Sequence, residues 1–489
     1  MLYKNYIYLY NFFFNYPTPA NLTNVWNFGV LSFVFLLIQI VSGIGLSMYY
    51  VPNEEFAFIF VEYIMRDTYF GWFFRYVHSN GASLFFFFVY LHFFRSLFYF
   101  SYVHPKIAIW NTGVVILLLM IITAFTGYVL PWGQMSFWAC TVITNLASAF
   151  PFVGEEFVKV IWGSYGVTTQ TLNRFYTVHF ILPFVILIIM IAHFYYLHSI
   201  GSSNGTQIFE IEDKMKFHPY YTWKDAVVVV SVISLYIFII ATTPNYLSHA
   251  DNYIPANAMV TPEHIIPEWY FLAFYAMLRS IPTKLGGILV LICSITILLA
   301  FPFHVKSFYN AKMWHRAKCE GFEVWSVKFF ALVTKRTNPL LMRYLFWIFA
   351  ANFVGLSYIG MQPVEKPYLF FGGLFTFIYF MFFYSSLYIH SFNFWVIRVK
   401  GLYLPHMLFT LKALVWGLKY VNSKFNKYFK FFFPNVYKLY VYYIQRTIDF
   451  FFKYIISQKN FANAAKKLND MLDTVDNWQY LFNNGKLEK

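Results

Sequence analysis

Two histidines fourteen residues apart, His78 and His92, lie in an apolar run bounded by Arg75 and Arg95, and the arrangement recurs as His179 and His193. An α-helix rises about 1.5 Å and turns about 100° per residue, so fourteen residues travel about 21 Å and return to within about 40° of the same face. Each helix therefore carries two imidazoles on one side, at two depths. Histidine in a hydrocarbon-spanning segment is costly and faces a bundle interior, where it is paired, hydrogen-bonded or bound to metal. With 13 histidines in 489 residues, chance predicts fewer than one pair at this spacing, whereas two occur, both in apolar runs. Two such helices could clamp two metals, one above the other.

The neighbouring apolar segments carry glycines at the same interval, Gly29 and Gly43 before the first histidine helix and Gly113 and Gly127 between the two. Glycine lets a flat ligand approach a backbone because no Cβ intrudes. The pattern suggests a four-helix bundle whose histidine helices ligate two haems and whose glycine helices leave room for the rings. No Cys-x-x-Cys-His occurs, so each haem would be held non-covalently, and Cys140, Cys293 and Cys319 fit neither a disulfide framework nor a metal cluster.

A chain that is 59% hydrophobic and 12% charged is a polytopic membrane protein rather than a soluble domain. Residues 1–16 are aromatic and almost uncharged, unlike an arginine-rich transit peptide or a signal peptide. This suits a protein made inside the compartment whose membrane it enters. Apolar runs of span length predict helices near 25–50, 75–101, 110–130, 174–198, 225–243, 285–305, 340–361 and 367–390. The expected fold is all-α, a polytopic membrane protein with eight transmembrane helices, the first four forming a di-haem four-helix bundle. Two long connections, 131–173 and 244–284, follow odd-numbered spans and so share one side. The segment 306–336 carries seven Lys/Arg against two acids, which puts it and both termini on the matrix or cytoplasmic side.

Three regions are expected: the di-haem bundle over 1–205, four further spans over 206–390, and a basic, aromatic-rich extension over 391–489 on the inner side. That extension holds fifteen Lys/Arg and five Asp/Glu, two-thirds of the net charge of +15. Its stretch 434–458 has an amphipathic pattern suited to an anionic membrane surface or a partner subunit.

The chain from about Tyr16 to His390 closely resembles the cytochrome b family of ubiquinol–cytochrome c oxidoreductase (complex III), mitochondrial type. The motifs occur in family order: Trp26-Asn27-Phe28-Gly29, Arg75-Tyr76-Val77-His78-Ser79-Asn80-Gly81, Gly127-Tyr128-Val129-Leu130-Pro131-Trp132-Gly133-Gln134, Arg174-Phe175, His179-Phe180-Ile181-Leu182-Pro183, Phe217-His218-Pro219, Pro267-Glu268-Trp269-Tyr270 and Leu278-Arg279-Ser280-Ile281-Pro282. The resemblance implies two non-covalent b haems. The low-potential one is held by His78 and His179 near the outer face, and the high-potential one by His92 and His193 near the inner face. Arg75 and Arg95, each one turn from a ligand, can pair haem propionates bidentately, and Trp110 and Asn111 fall at the inner propionate region.

The resemblance also implies an outer ubiquinol-oxidation site of Phe125, Tyr128, Met135, Ile143, Pro267, Glu268, Phe271 and Tyr275. Glu268 is the candidate proton acceptor, because a carboxylate in an apolar pocket has its pKa raised by desolvation. An inner ubiquinone-reduction site would be built near His198, Ser202, Lys224 and Asp225, with His198 and Asp225 donating to the two carbonyls. The implied partners are the iron–sulfur and cytochrome c-type subunits of complex III in a homodimeric complex, with membrane lipids around it in the mitochondrial inner membrane. No nucleic-acid partner is expected.

This chain departs from the family pattern in three places. Ala139-Cys140 stands where the family usually has Gly and a small residue on the outer-site wall, Ser199 replaces a frequent acid, and the connection after Lys306 is long. Histidine spacing alone also fits a di-haem anchor that serves a soluble dehydrogenase, which would lack an outer quinol site. A transporter with fortuitous histidines, which would show no haem absorbance, fits it as well.

Overall fold

The computed structural model describes residues 10–396 apart from 12–13, 104, 204, 206–213 and 320–323, with side chains described outside 303–341 and 386–396. The expected 391–489 extension therefore lies, from residue 397 onward, outside the described residues. Among the described residues, eight helices are long and apolar enough to cross a membrane: Asn24–Ser47, Gly71–Phe98, Ile107–Val129, Thr169–Ile200, Tyr220–Thr242, Lys284–Pro302, Met342–Met361 and Lys366–Ser385. All eight predicted spans are present.

Their starts differ from the predicted ones for local reasons. The second begins at Gly71 rather than 75, so that Trp72, Phe73 and Phe74 add a further turn before Arg75. The fourth begins at Thr169, where a capping box between Thr168 and Thr171 satisfies free backbone groups of the first turn. Two helices outrun the membrane-length segment, one covering Lys284–Cys319 and the next Val324–Met361.

We number the helices α1 (Phe28–Ser47), α2 (Ala57–Asp67), α3 (Gly71–Phe98), α4 (Ile107–Val129), α5 (Gln134–Asn145), α6 (Gly154–Trp162), α7 (Thr169–Ile200), α8 (Tyr220–Thr242), α9 (Leu272–Arg279), α10 (Lys284–Cys319), α11 (Val324–Met361) and α12 (Lys366–Val396). The short helices α2, α5, α6 and α9 occupy stretches that sequence reading treated as connections. A two-stranded antiparallel ribbon is added, β1 (Pro17–Pro19) paired with β2 (Lys214–Lys216) in the register Thr18 to Met215.

Helix α1 packs mainly on α3 and α4 mainly on α7, so each glycine helix lies along a histidine helix. Buried aromatic and aliphatic side chains hold the bundle, among them Phe35, Phe86, Trp110 and Met120. Helix α8 is fastened to α3 by hydrogen bonds from Tyr236 Oη to Val77 O, and from Asn80 Nδ2 to Pro244 O just beyond it at 2.9 Å. The later spans join through Trp110 Nε1, which donates to Leu298 O at 2.7 Å, and through Tyr379 Oη, which donates to Ser294 O at 2.8 Å. In hydrocarbon such polar groups need protein partners, since water is not there to supply them.

The two long connections are zipped together, which requires that they share one side. Gln134 N donates to Ile254 O at 2.9 Å and Ala256 N to Trp132 O at 3.0 Å, while Gln134 Nε2 reaches Val260 O at 2.9 Å. A Cβ on Gly133 would stand 2.3 Å from Asn252 O, so the backbones meet where only glycine fits.

Candidate functional site

The four histidines form two pairs between α3 and α7. The ring centroids of His78 and His179 are 6.0 Å apart, and those of His92 and His193 are 6.3 Å apart. A metal–imidazole bond is about 2.0 Å and the ring centroid lies about 1.1 Å further out, so two imidazoles across one metal sit about 6.2 Å apart. Both pairs match that span without adjustment. Each histidine also faces one glycine: an added Cβ would lie 3.1 Å from His78 Cε1 at Gly43, 2.3 Å from His179 Cε1 at Gly127, 3.2 Å from His92 Cε1 at Gly29 and 3.3 Å from His193 Cε1 at Gly113. Each level therefore has two imidazoles and two bare stretches of backbone, a cradle with the donor set and clearance that a bis-histidine haem needs.

The Nδ1 atoms decide which nitrogen can bind metal. His179 Nδ1 faces Thr123 O at 2.7 Å, His78 Nδ1 faces Ser42 Oγ at 3.0 Å and His193 Nδ1 faces Thr112 Oγ1 at 2.9 Å. Ser42 and Thr112 already donate their hydroxyl protons to backbone carbonyls, so they accept from the imidazole N–H and leave Nε2 free to ligate. His92 differs, with Arg95 Nη2 at 3.0 Å from its Nδ1. A guanidinium only donates, so a His92 ligating through Nε2 requires Arg95 to turn away, which frees that cation for a carboxylate. Arg95 also stands over the Trp26 ring at 5.5 Å.

One cavity is lined by His78, His179, Gly43, Gly127 and Arg75, and also by Tyr128 and Glu268. Burial pushes the Glu268 carboxyl up to about 7, opposed by the adjacent Tyr128 hydroxyl. The remaining predicted outer-site residues fall on two elements. Met135 and Ile143 lie on α5 together with the buried Ala139, while Pro267 and Phe271 lead into α9, which carries Tyr275. Phe125 packs edge-on to Phe175 at 5.6 Å, Phe271 edge-on to Phe86 at 5.9 Å, and Arg279 covers the Tyr275 ring at 5.1 Å.

Of the predicted inner-site residues, His198 stacks on Tyr16 at 4.2 Å, and Tyr16 interacts in turn with Ser202. Lys224 Nζ donates to Leu22 O at 2.6 Å and Asp225 accepts from Asn27 Nδ2. Both halves are thus organised by the segment 16–27, with no direct bond between His198 and Asp225 among the described residues. The indole N–H of Trp110 is committed to Leu298 O, whereas Asn111 Oδ1 is buried without a hydrogen-bond partner among the described residues.

Sequence reasoning missed Ser42, Thr112, Thr123, Tyr16, Asn27 and Lys106. A signal existed for two of them, because Ser42-Gly43 and Thr112-Gly113 repeat a hydroxyl-glycine doublet on the two glycine helices. Lys106 is buried at the inner end of α4, and burial together with Arg95 pushes its ammonium down to about 8.

Fold and site together define a multi-pass membrane protein with a haem-binding four-helix bundle. Family models described as "Cytochrome b/b6/petB" and "Cytochrome b(C-terminal)/b6/petD" match residues 13–201 and residues 255–335 and 326–380. Cytochrome b of Acanthamoeba castellanii is 45% identical over 376 residues, covering 77% of this chain and 91% of that protein. That of Solanum tuberosum is 46% identical over 369 residues, covering 76% and 88%. A solved "Hyperthermophilic respiratory Complex III" chain superposes with a TM-score of 0.70 at 30% identity, covering 80% of this chain and 97% of that one. The chain belongs to the cytochrome b family. As such it is a haem b-binding membrane subunit of a quinol–cytochrome c oxidoreductase.

Proposed function

We propose that this chain is the catalytic subunit of a proton-translocating ubiquinol–cytochrome c reductase of the mitochondrial inner membrane, oxidising ubiquinol near the outer face and reducing ubiquinone near the inner face. It would hold two b haems, the low-potential one through His78 and His179 and the high-potential one through His92 and His193. The observation that carries the reading is the Glu268–Tyr128 pair opening into the cavity that the outer histidine pair also lines. When bound, the haems supply one-electron redox chemistry at two depths of the membrane.

The chain's residues do the rest. Arg75 and Arg95 neutralise propionates at the outer and inner levels, and Gly29, Gly43, Gly113 and Gly127 keep the ring planes clear. Glu268, held near 7 by burial, accepts a quinol proton at Oε1 or Oε2 and passes it outward, with Tyr128 orienting it. At the inner face His198 and Asp225 donate protons to the two carbonyls of the quinone. Lys224 and Ser202 help to position the ring. Asn27 holds one Asp225 oxygen.

Residues 1–205 serve as the di-haem bundle, 206–390 complete the outer site, and 391–489 contact other subunits or lipid on the inner side. The iron–sulfur and cytochrome c-type subunits are the electron-accepting partners in a homodimeric complex. Glu268→Gln tests the reading: quinol oxidation per haem should fall at least about a hundredfold, the lower end of what a general base contributes, and undiminished turnover would contradict it. That outcome would favour the alternative of a di-haem anchor without an outer quinol site.

A further inference from the structure

Helix α5 carries Met135, Ala139 and Ile143 at four-residue intervals, and one position further round it carries Ser136, Cys140 and Thr144. Successive residues differ by about 100°, so these are adjacent faces of one helix. In the reading above the first face is a wall of the quinol pocket. The second is buried beside Val129, Leu172 and Phe175, with the Trp162 ring packed against the same cluster.

Polar pins hold both ends of that second face. At its start Asn252 Oδ1 accepts from Ser136 N and Ser136 Oγ, each at 2.9 Å. At its end Trp162 Nε1 donates to Thr144 Oγ1 at 2.7 Å, and that hydroxyl donates to Cys140 O at 2.6 Å. Trp162 is itself held from α7, because Thr171 Oγ1 donates to Trp162 O at 2.8 Å and Arg174 Nη1 donates to Val160 O and Ile161 O. A continuous polar bridge thus runs from α7, which carries His179, to α5.

We propose that Trp162 is a positioning residue for quinol oxidation, its N–H on Thr144 setting the rotation and depth of α5 and so the placement of Met135, Ala139 and Ile143. The inference rests on the reading that this face meets quinol. The competing account is that the Trp162 ring acts only through apolar packing, which the cluster around it would allow. Trp162→Phe removes the donor but also shrinks the ring, so the two accounts are separated by the partner position, where the indole stays in place. Thr144→Val removes the receiving hydroxyl at nearly constant shape.

The test is steady-state oxidation of a short-chain ubiquinol by the purified complex, read per mole of haem so that a lower yield leaves the outcome readable. Each variant should raise KM about three- to tenfold, or about 0.7–1.4 kcal/mol at 1.4 kcal/mol per decade. kcat should stay within about twofold and the haem spectrum should be unchanged. The double variant should be no worse than either single one, because both remove the same bond. Unchanged KM in both single variants, or increases that multiply in the double, would overturn the proposal. Glu268→Gln in the same assay separates the levels: if it leaves oxidation untouched, the outer-site reading fails. If it slows oxidation while Trp162→Phe behaves as wild type, only the positioning role fails.

Discussion

Replacing Gly127 by alanine should selectively damage the outer haem site. The new methyl would stand 2.3 Å from His179 Cε1, 2.6 Å from Nδ1 and 3.0 Å from Nε2. Ordinary carbon contacts are about 3.5–4.0 Å, so the imidazole must retreat by about 1 Å. It is held in place by the bond between Nδ1 and Thr123 O at 2.7 Å, which that retreat breaks. Losing the bond costs about 0.5–1.5 kcal/mol and overpacking about 1–3 kcal/mol. Together these weaken outer-haem binding roughly tenfold to a thousandfold at about 1.4 kcal/mol per decade. Gly113→Ala meets His193 Cε1 at 3.3 Å and needs only a shift of a few tenths of an ångström, so its effect should stay below about tenfold. Reduced-minus-oxidised spectra resolved by redox titration would report the two components separately. An undiminished outer component in Gly127→Ala, or greater damage from Gly113→Ala, would refute the reasoning.

Quinol oxidation should rise with pH through about 7, because the Glu268 carboxylate accepts a proton only once ionised and burial has moved its pKa up to about 7; Glu268→Gln should flatten that limb, and a wild-type profile already level across it would count against the assignment. Ala139 is buried on α5, so its methyl should reduce sensitivity to inhibitors of the methoxyacrylate type, which the family resemblance implies pack against glycine there; equal potency against the wild type and Ala139→Gly would show that the backbone absorbs the methyl. A chain ending at His390 should assemble less well but keep turnover per assembled complex, since the histidine pairs and both quinone regions lie before that residue; an assembled, haem-loaded and inactive truncation would show otherwise.

The parts that were legible in the sequence are those set by periodicity. Hydropathy located all eight spans, because a membrane demands long apolar runs, and the fourteen-residue interval set two histidine levels, on which the family resemblance placed His78 with His179 and His92 with His193. The matching interval in Gly29, Gly43, Gly113 and Gly127 aligned each glycine with one imidazole. What stayed hidden depends on contacts between distant segments. Helices α5 and α9 are short and lie in loops, so neither hydropathy nor length announces them. His179 is oriented by the Thr123 carbonyl, which carries no side-chain signature. The link from Tyr16 to His198 spans most of the bundle's sequence, and nothing local to either residue points to the other.

The central claim is that two haems sit at two levels on two histidine pairs, and haem content per chain tests it most directly. Reductive spectrophotometry of the purified protein should return two b-type haems per chain, falling to one in His92→Leu, with the outer component spectrally intact. A single haem in the wild type, or the loss of both or neither in folded His92→Leu, would contradict the account.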